Sequence, residues 1–488
     1  MAYTSRIADQ LRSESPMSGL DRRNLAAPQV FAQSVSGVAP AAAMAVTPAI
    51  VAEQAGVGTV WSFAIATGLV LLVASCIGQF TRRMAAAGSL YSLTAKGLGA
   101  APGLVCGAAL LVGYGLLSMA ALVGAALELG ALAAFVGLPR SAFTGAVAVA
   151  LVVVAAVVAT CAIRGVRLAA SVVLLAEAVS ISLMLVVFVI LLASHPTVVH
   201  VDQLIPSQAS IGGVVAGALP ALAAFIGFET AVALGVEARR PFRTVPRAVR
   251  GTAALTGVLT LFAAYTQVAR FPEIGAGLVG QDPPAPVLAG TEHVSWLPVV
   301  LDVGLATSFF ACALATTTAL VRLLLSAGRE QVLPAWLGRT HPRLRTPHHA
   351  VAVTVPVIAL VPLGLFTIGV APGRALTTLL TIAALGYLVA YLLVCLAAPV
   401  FLHRIGELTV APIIQTALIV PVLLVVFGVF VTQRAPLMAP ALVGAAVILG
   451  LGRYLWIKIR HPRRISAIGL YDETSAADVW GARVRWPR

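Results

Sequence analysis

The sequence contains few charged residues. They make up 10% of its 488 residues, while apolar residues make up 60% and the mean hydropathy is +0.99. A soluble domain carries about 25% charged residues, so this composition excludes a fold with a water-exposed surface on all sides. About twelve apolar runs of 20 residues or more are visible, and each can cross a hydrocarbon layer of about 30 Å. The chain is therefore predicted to be an all-α polytopic membrane protein.

Paired cysteines and enzyme motifs are also missing from the sequence. The five cysteines, at positions 76, 106, 161, 312 and 395, fall inside apolar runs and show no metal-ligand spacing, so they are expected to be small buried residues. Neither H-E-x-x-H nor G-x-S-x-G occurs. We therefore predict that the chain is not an enzyme and that it has no metal site and no cofactor.

The 32 basic residues outnumber the 18 acidic ones and give a net charge of +14. If helix 1 starts from the inside, the inner loops and tails hold 28 of the 32 Lys and Arg residues. This asymmetry follows the rule that positive residues flank membrane helices on the cytoplasmic side. It predicts a multi-pass protein of the cell membrane with both termini in the cytoplasm, surrounded by the lipid bilayer and with no nucleic-acid partner.

The apolar runs divide the chain into five parts. The tail after helix 12 is polar and is expected to be poorly ordered, and residues 82–99 are expected to lie as an amphipathic segment at the inner face. The predicted parts are an amino tail (1–28), helices 1–5 (29–193), helices 6–10 (212–401), helices 11 and 12 (411–457) and a carboxyl tail (458–488).

Two helices carry signals for an interruption within the membrane. In helix 1, Pro40 has no N–H to donate to the carbonyl of Ser36, and Gly37 makes local unwinding easier. In helix 6, Glu229 lies within an apolar run and follows Gly227. A lone carboxyl group at membrane depth usually marks a substrate or ion pathway. Interrupted helices at matching positions in two halves of a chain indicate a transporter's binding site.

The sequence resembles the amino acid–polyamine–organocation (APC) permeases in four ordered stretches. These are the helix 1 break "S-G-V-A-P" ending at Pro40, "A-G-S-L-Y" from Ala87, "F-I-G-F-E" from Phe225, and the loop from Arg322 to Pro347. The resemblance implies a LeuT-type inverted repeat of five plus five helices (1–5 and 6–10), with helices 11 and 12 outside it and helices 1 and 6 discontinuous. It also implies secondary transport of amino acids or related amines.

The break in helix 1 is predicted to bind the carboxylate of the substrate, because free N–H groups at a helix start attract anions. We place these donors on Ser36, Gly37 and Val38, and we count Ala39 among the substrate-binding residues of this break. Many members of the family have a G-S-G-like break, whereas this chain has Val38 and Ala39 after Gly37. Backbone donors survive this difference, but one hydroxyl contact to the substrate is lost.

The break in helix 6 is predicted to bind the opposite end of the substrate. The resemblance implies that free carbonyls at Ala224, Phe225, Ile226 and Gly227 receive the ammonium group. The aromatic rings of Phe225 and Phe228 are candidates to cover the substrate. The alternative for both rings is packing against lipid or against another helix.

Glu229 is predicted to carry a coupled proton, because removal from water favours the neutral form of a carboxyl group. Glu177 in helix 5 is a second candidate, and for both residues the alternative is a structural hydrogen bond between helices. Sodium coupling is the competing interpretation; it would need oxygen ligands on helices 1 and 8, where helix 8 supplies hydroxyls. Other acidic residues are expected at helix ends near water: Glu53, Glu128, Glu237 and Asp302. The helix 8 hydroxyls in question belong to Ser308, Thr316, Thr317 and Thr318.

Three functions remain open from the sequence. The first is a proton-coupled amino acid permease that works by alternating access. The second is an exchanger or a carrier of amines or polyamines. The third is a membrane sensor that keeps the fold without transporting, and the lack of a soluble signalling domain argues against it.

Overall fold

The computed structural model describes residues 15–193, 210–270, 296–434 and 438–473. Within these ranges the chain is helical, with one isolated bridge between Leu25 and Ala238. Ten helical stretches of the described residues are long and apolar enough to cross a membrane. The first, Ala27–Thr81, has 55 residues, which is about twice what one crossing needs. The 3-10 turn Gly56–Gly58 divides it into two spans. With the interrupted helix 6, the described chain has the twelve predicted helices.

The first five helices form the first half of the bundle. A short helix, Leu90–Leu98, precedes helix 3 and does not span the membrane. The spans are Ala27–Val38 with Pro40–Ala55 (helix 1), Thr59–Thr81 (helix 2), Ala100–Phe135 (helix 3), Phe143–Arg164 (helix 4) and Val166–Ala193 (helix 5).

The second half repeats this arrangement, beginning with another interrupted helix. Its spans are Ile211–Ala223 continued by the 3-10 helix Thr230–Leu234 (helix 6), Pro241–Arg270 (helix 7), Leu297–Arg329 (helix 8), His348–Thr367 (helix 9) and Pro372–Arg404 (helix 10). Helices 11 and 12 follow as Val410–Val429 and Met438–Arg460. These two are peripheral, since their most apolar windows are only 17% buried against 78% for helix 3. The predicted LeuT-type all-α fold, with helices 1 and 6 discontinuous, is confirmed.

Helices 3 and 10 cross closely at the centre of the bundle. Gly386 of helix 10 lies against helix 3, where an added Cβ atom would be 2.6 Å from the carbonyl oxygen of Ala109. Gly113 of helix 3 in turn faces the ring of Tyr387. Small residues allow such contact between membrane helices. The crossing fixes the tyrosines of both helices beside the interruption of helix 6.

Residues 15–25 and 468–473 pack against the same end of the bundle, which we call the tail face. The buried short helix Leu90–Leu98 lies there too, with Leu90, Tyr91 and Leu93 at most 2% exposed. Sequence reasoning expected an amphipathic surface piece and a poorly ordered carboxyl tail. The tail instead covers this segment through contacts of Gly469, Tyr471 and Asp472; residues 1–14 and 474–488 lie outside the described part.

Candidate functional site

Helix 1 is interrupted at a single residue. Ala39 has φ 55° and ψ 66°, which places it in the left-handed region, and the second half-helix begins at Pro40. Proline is tolerated at the first position of a helix, where its missing N–H costs no hydrogen bond. It disfavours right-handed helical geometry in the residue before it. The sequence therefore determines the position of the break through Pro40.

The free backbone donors lie three to six residues later than predicted. Ser36, Gly37 and Val38 belong to the last turn of the first half-helix, so their carbonyls face the break and their N–H groups lie inside the helix. The first N–H groups of a helix have no intrahelical partner, which here leaves those of Ala41 and Ala42. Because the second half-helix begins at Pro40, only Ala39 is unwound, and the N–H groups of Ser36–Val38 remain inside the first half-helix.

Helix 6 is interrupted over a longer segment. From Ala224 to Glu229 the backbone forms successive turns, with N–H groups of Phe225 and Phe228 bonded three residues back. Gly227 has φ +96°, a conformation that glycine adopts without steric cost. Regular helical bonding ends at Ala223, and a 3-10 helix resumes at Thr230. Pro220 thus lies just before the expected break, and Gly227 lies within it.

The two interruptions touch each other through their backbones. A Cβ atom on Gly37 would overlap the carbonyl oxygen of Gly227, and one on Gly227 would overlap that of Gly37. Thr230 donates its hydroxyl to the carbonyl of Gln33 at 2.7 Å. The hydroxyl of Ser34 donates to the carbonyl of Phe228. The predicted substrate-binding segments are therefore neighbours in a closed arrangement.

Glu229 is fully buried and bound by two tyrosines. Tyr391 of helix 10 donates to Glu229 Oε2 at 2.5 Å, and Tyr114 of helix 3 donates to Oε1 at 3.0 Å. The N–H of Gly227 donates to the Tyr391 hydroxyl at 3.2 Å. The carboxyl group of Glu229 is thus connected through Tyr391 to Gly227, the residue with positive φ in the interruption.

Sequence reasoning missed both tyrosines and one serine of this network. The Ser89 hydroxyl, near the tail face, lies 2.8 Å from that of Tyr114. Tyr114 and Tyr391 are 115 and 162 residues from Glu229 in the chain, so no local pattern joins them. A tyrosine inside an apolar run needs a partner for its hydroxyl when buried, which was the only available signal.

Phe225, Ile226 and Phe228 line a small apolar pocket beside the helix 6 interruption. Helices 2, 10 and 11 supply the rest of its lining, including Tyr391, whose ring centroid lies 5.4 Å from that of Phe228. The two phenylalanines are buried. Covering of a substrate by these rings stays a prediction.

Glu177 meets helix 1 at its break. Its Oε2 accepts a hydrogen bond from the Ser36 hydroxyl at 2.9 Å, while Oε1 has no hydrogen-bond partner among the described residues. Glu177 is 3% exposed. A buried carboxyl oxygen without a partner is energetically costly, so this residue remains a candidate for proton or cation binding.

Of the helix 8 hydroxyl groups that are candidates for binding sodium, some have a hydrogen-bond partner among the described residues and others have none. Thr316 donates to the Cys312 carbonyl of its own helix at 2.7 Å, as hydroxyls in membrane helices commonly do. Ser308 and Thr317 are buried and have no partner within the described ranges. Thr318 is 5% exposed, and its carbonyl accepts from Arg322. Thr316, Thr317 and Thr318 are consecutive in helix 8, so their side chains leave the helix axis about 100° apart and do not face one point.

Glu237, expected at a watery helix end, is instead buried in an ion pair. It is 1% exposed and lies 2.6 Å from Arg322, which is 5% exposed. Two further contacts from the Arg322 Nε atom make the pair bidentate. Arg322 also donates to the carbonyl of Thr318. The pair joins the end of helix 6 to helix 8 near the tail face.

Comparison with known proteins places this architecture in a family. The sequence matches the family described as "Amino acid permease" over residues 25–448. The chain belongs to the amino acid permease family. The match covers both interrupted helices, the tyrosines that bind Glu229 and the Arg322–Glu237 pair.

Several relatives carry names that describe transport. A 412-residue match at 26% identity covers 80% of this chain and 67% of "Cationic amino acid transporter 6, chloroplastic" from Arabidopsis thaliana. A branched-chain amino acid permease of Bacillus subtilis is 25% identical over 28% of this chain and 30% of its own length. An uncharacterized transporter of Mycobacterium tuberculosis is 33% identical over 28% of this chain and 30% of its length. The bacterial matches thus cover about a third of each relative.

Proposed function

We propose that this chain is a proton-coupled amino acid permease of the cell membrane, with both termini in the cytoplasm. The observation that carries the proposal is the backbone contact of two interrupted helices at Gly37 and Gly227, beside the buried carboxyl group of Glu229. The family and the names of its relatives support a transporter. Proton coupling and alternating access are supported by the geometry of the site.

The substrate is held by backbone groups when the two breaks separate. The N–H groups of Ala41 and Ala42, at the start of the second half-helix, bind its carboxylate, because a helix amino end carries partial positive charge. Carbonyls at the end of the first half-helix, such as those of Gly37 and Val38, lie on the opposite side of the break. Together with carbonyls from 224–227 they receive the ammonium group. This arrangement recognises the part common to all amino acids.

Glu229 couples the proton to this site through its tyrosines. The ionised carboxylate accepts from Tyr114 and Tyr391 at once. Protonation turns one carboxyl oxygen into a donor, which weakens the hydrogen bond that this oxygen accepts from its tyrosine and requires an acceptor for the new O–H. Because Tyr391 also accepts from the N–H of Gly227, the change reaches the hinge of helix 6. Ser89 extends the hydrogen bonds from Tyr114 toward the tail face and offers the proton a path to that side.

The names of the relatives leave two substrate classes to compare. Plant relatives are named for cationic amino acids and a bacterial relative for branched-chain amino acids. Both oxygens of Glu229 are already bound by tyrosines, so Glu177, with one free oxygen among the described contacts, is the only carboxyl at the breaks open to a cationic side chain. A substrate panel therefore needs both classes.

Uptake by purified protein in liposomes tests the proposal. Labelled leucine, isoleucine, valine, arginine and lysine are offered first under an imposed inward proton gradient, followed by the other amino acids and common polyamines. A proton-coupled permease accumulates at least one of them and loses the accumulation when a protonophore is added. Substrate exchange that does not depend on the proton gradient would contradict proton coupling and would favour the amino acid exchanger. Neither accumulation nor exchange across the twenty amino acids and common polyamines would favour the sensor.

A further inference from the structure

The carboxyl-terminal segment 468–472 lies across the tail face and is bound there by a buried carboxyl group. Glu330 follows the last residue of helix 8 and is 2% exposed. Its Oε1 accepts the N–H groups of Gly469 and Leu470, at 3.0 and 2.7 Å. The Tyr91 hydroxyl donates to the other oxygen. Two consecutive backbone donors on one oxygen form a specific attachment point.

Asp472 attaches the far end of the segment. Its N–H donates to the carbonyl of Ala85 at 2.7 Å. Its Oδ1 accepts from the Ser15 hydroxyl at 2.7 Å and lies 2.8 Å from the Arg22 guanidinium. The segment thus links the loop after helix 2 to the tail that leads into helix 1.

Contacts of the Leu470 and Tyr471 side chains lie between these two attachment points. Leu470 packs against a small cluster that is separate from the main core, and the Lys96 ammonium lies 4.9 Å from the centre of the Tyr471 ring. The cluster contains one or two residues from each neighbouring element: Met17, Leu20, Ala87, Val236 and Leu325.

If the chain works by alternating access, opening of the tail face requires the elements joined in this way to separate. The amino tail and Val236 continue from helices 1 and 6, the two interrupted helices, whereas Leu325 and Glu330 belong to helix 8 and its end. Alternating access moves such elements against each other around the binding site. A segment bound to both sides opposes that movement.

We propose that residues 468–472 form a releasable strap that holds the tail face closed, and that Glu330 is the group that fastens it. The strap regulates access to the site described above. Its effect on transport rests on the proposed function, but its effect on the structure does not.

A substitution at Gly469 should release the strap without shortening the chain. Gly469 has φ +87°, and an added Cβ atom would lie 2.9 Å from the Cβ of Ala95. Gly469→Val therefore meets both backbone strain and a steric clash. Glu330→Gln weakens the attachment from the other side, because the NH2 group of glutamine cannot accept a hydrogen bond and leaves one acceptor oxygen for the donors of Tyr91, Gly469 and Leu470. Glu407→Gln on the same face, at a 56% exposed side chain, is the control.

Hydrogen exchange on the purified full-length protein tests the strap independently of transport. In the wild type we expect the amides of Gly469, Leu470 and Asp472 to be protected. In Gly469→Val and in Glu330→Gln we expect exchange in residues 84–95, which the strap covers, to rise about tenfold or more. Random-coil exchange of 468–472 in the wild type would overturn the proposal. So would unchanged exchange of 84–95 in both variants.

Substrate exchange in liposomes tests the regulatory role. A chain ending at Ala467, or Gly469→Val if the shortened chain does not fold, should exchange substrate several-fold faster than the wild type and the Glu407→Gln control. An unchanged rate in a folded, transporting variant would overturn the regulatory role. If the wild type transports nothing while the exchange pattern is as expected, the proposed function fails and the strap stands.

Discussion

Gly37 and Gly227 place the interruptions of helices 1 and 6 in direct backbone contact, with no room for a side chain on either residue. Gly37→Ala or Gly227→Ala should therefore lower the free energy of unfolding by about 1–3 kcal/mol, the usual cost of overpacking a close contact. Both should also reduce substrate uptake. Thermal unfolding in detergent and liposome uptake measure the two effects. Gly68→Ala, a helical site with open space, should behave like the wild type.

The effect should be larger at Gly227 than at Gly37. Gly227 adds a positive φ of +96°, which costs a non-glycine residue further strain, whereas Gly37 is helical. Equal stability of the two alanine variants and the wild type would show that the breaks do not pack as described.

Tyr391→Phe removes the hydroxyl that joins Glu229 to the N–H of Gly227. We expect it to weaken the dependence of uptake on the proton gradient, because protonation of Glu229 no longer reaches the hinge directly. Tyr387→Phe is a matched control one turn away, since its hydroxyl has no partner among the described residues. Initial uptake rates at several pH values compare the two. The interpretation fails if Tyr387→Phe changes the pH profile as much as Tyr391→Phe does.

Much of this arrangement could be predicted from the sequence, and the reason is local chemistry. Pro40 and Gly227 change the backbone conformation at their own positions in the chain, so the sequence was enough to locate the interruptions of both helices correctly. The length of the first break was not predicted, because only the structure shows that helical bonding continues through Ser36 and Val38. Partners far apart in the chain were also missed. Tyr114 and Tyr391 reach Glu229 only through the crossing of helices 3 and 10.

At the tail face, too, contacts between residues far apart in the chain could not be predicted from the sequence. Polar composition suggested that the carboxyl tail has little order, since it offers few apolar residues to bury. Its order comes from Glu330 and Ala85, which the sequence does not place near residues 469–472. Glu237 was expected at a helix end near water for a similar reason. Its position in the chain is indeed at the end of helix 6, but Arg322 and the amino tail cover it.

Glu237→Gln should destabilise the protein strongly. It leaves the buried guanidinium of Arg322 without its partner, and breaking a buried ion pair in this way costs about 3–5 kcal/mol. Glu407→Gln breaks the exposed pair with Arg83 and should cost less than about 1 kcal/mol. Melting temperatures of the two variants in the same detergent measure the difference. Similar melting temperatures would contradict the burial of the Arg322–Glu237 pair.

Glu330 should make stability depend on pH. It lies beyond the spanning part of helix 8, and burial raises the pKa of its carboxyl group from 4.5 to about 7, against hydrogen bonds from Tyr91, Leu470 and Gly469 that lower it. The folded chain therefore binds more protons than the unfolded chain between these values. Its free energy of unfolding falls as pH rises through this range, by up to about 3 kcal/mol.

Melting temperatures measured from pH 4.5 to 8 test this expectation. Glu330→Gln has no titrating group at this position, so its melting temperature should decline less between pH 4.5 and 7 than that of the wild type. Glu407→Gln should keep the wild-type profile. Parallel profiles for the wild type and Glu330→Gln would show that Glu330 does not titrate in this range.

The most direct test of the account is substrate transport by Glu229→Gln in liposomes, measured both as accumulation under an imposed proton gradient and as exchange without one. Glutamine keeps the size of the side chain and an oxygen acceptor for Tyr391 or Tyr114, but it cannot take up a proton. We predict that the variant loses gradient-driven accumulation and its pH dependence while substrate exchange persists. Accumulation at the wild-type level, with an unchanged response to pH, would contradict the role of Glu229 as the proton-coupling residue.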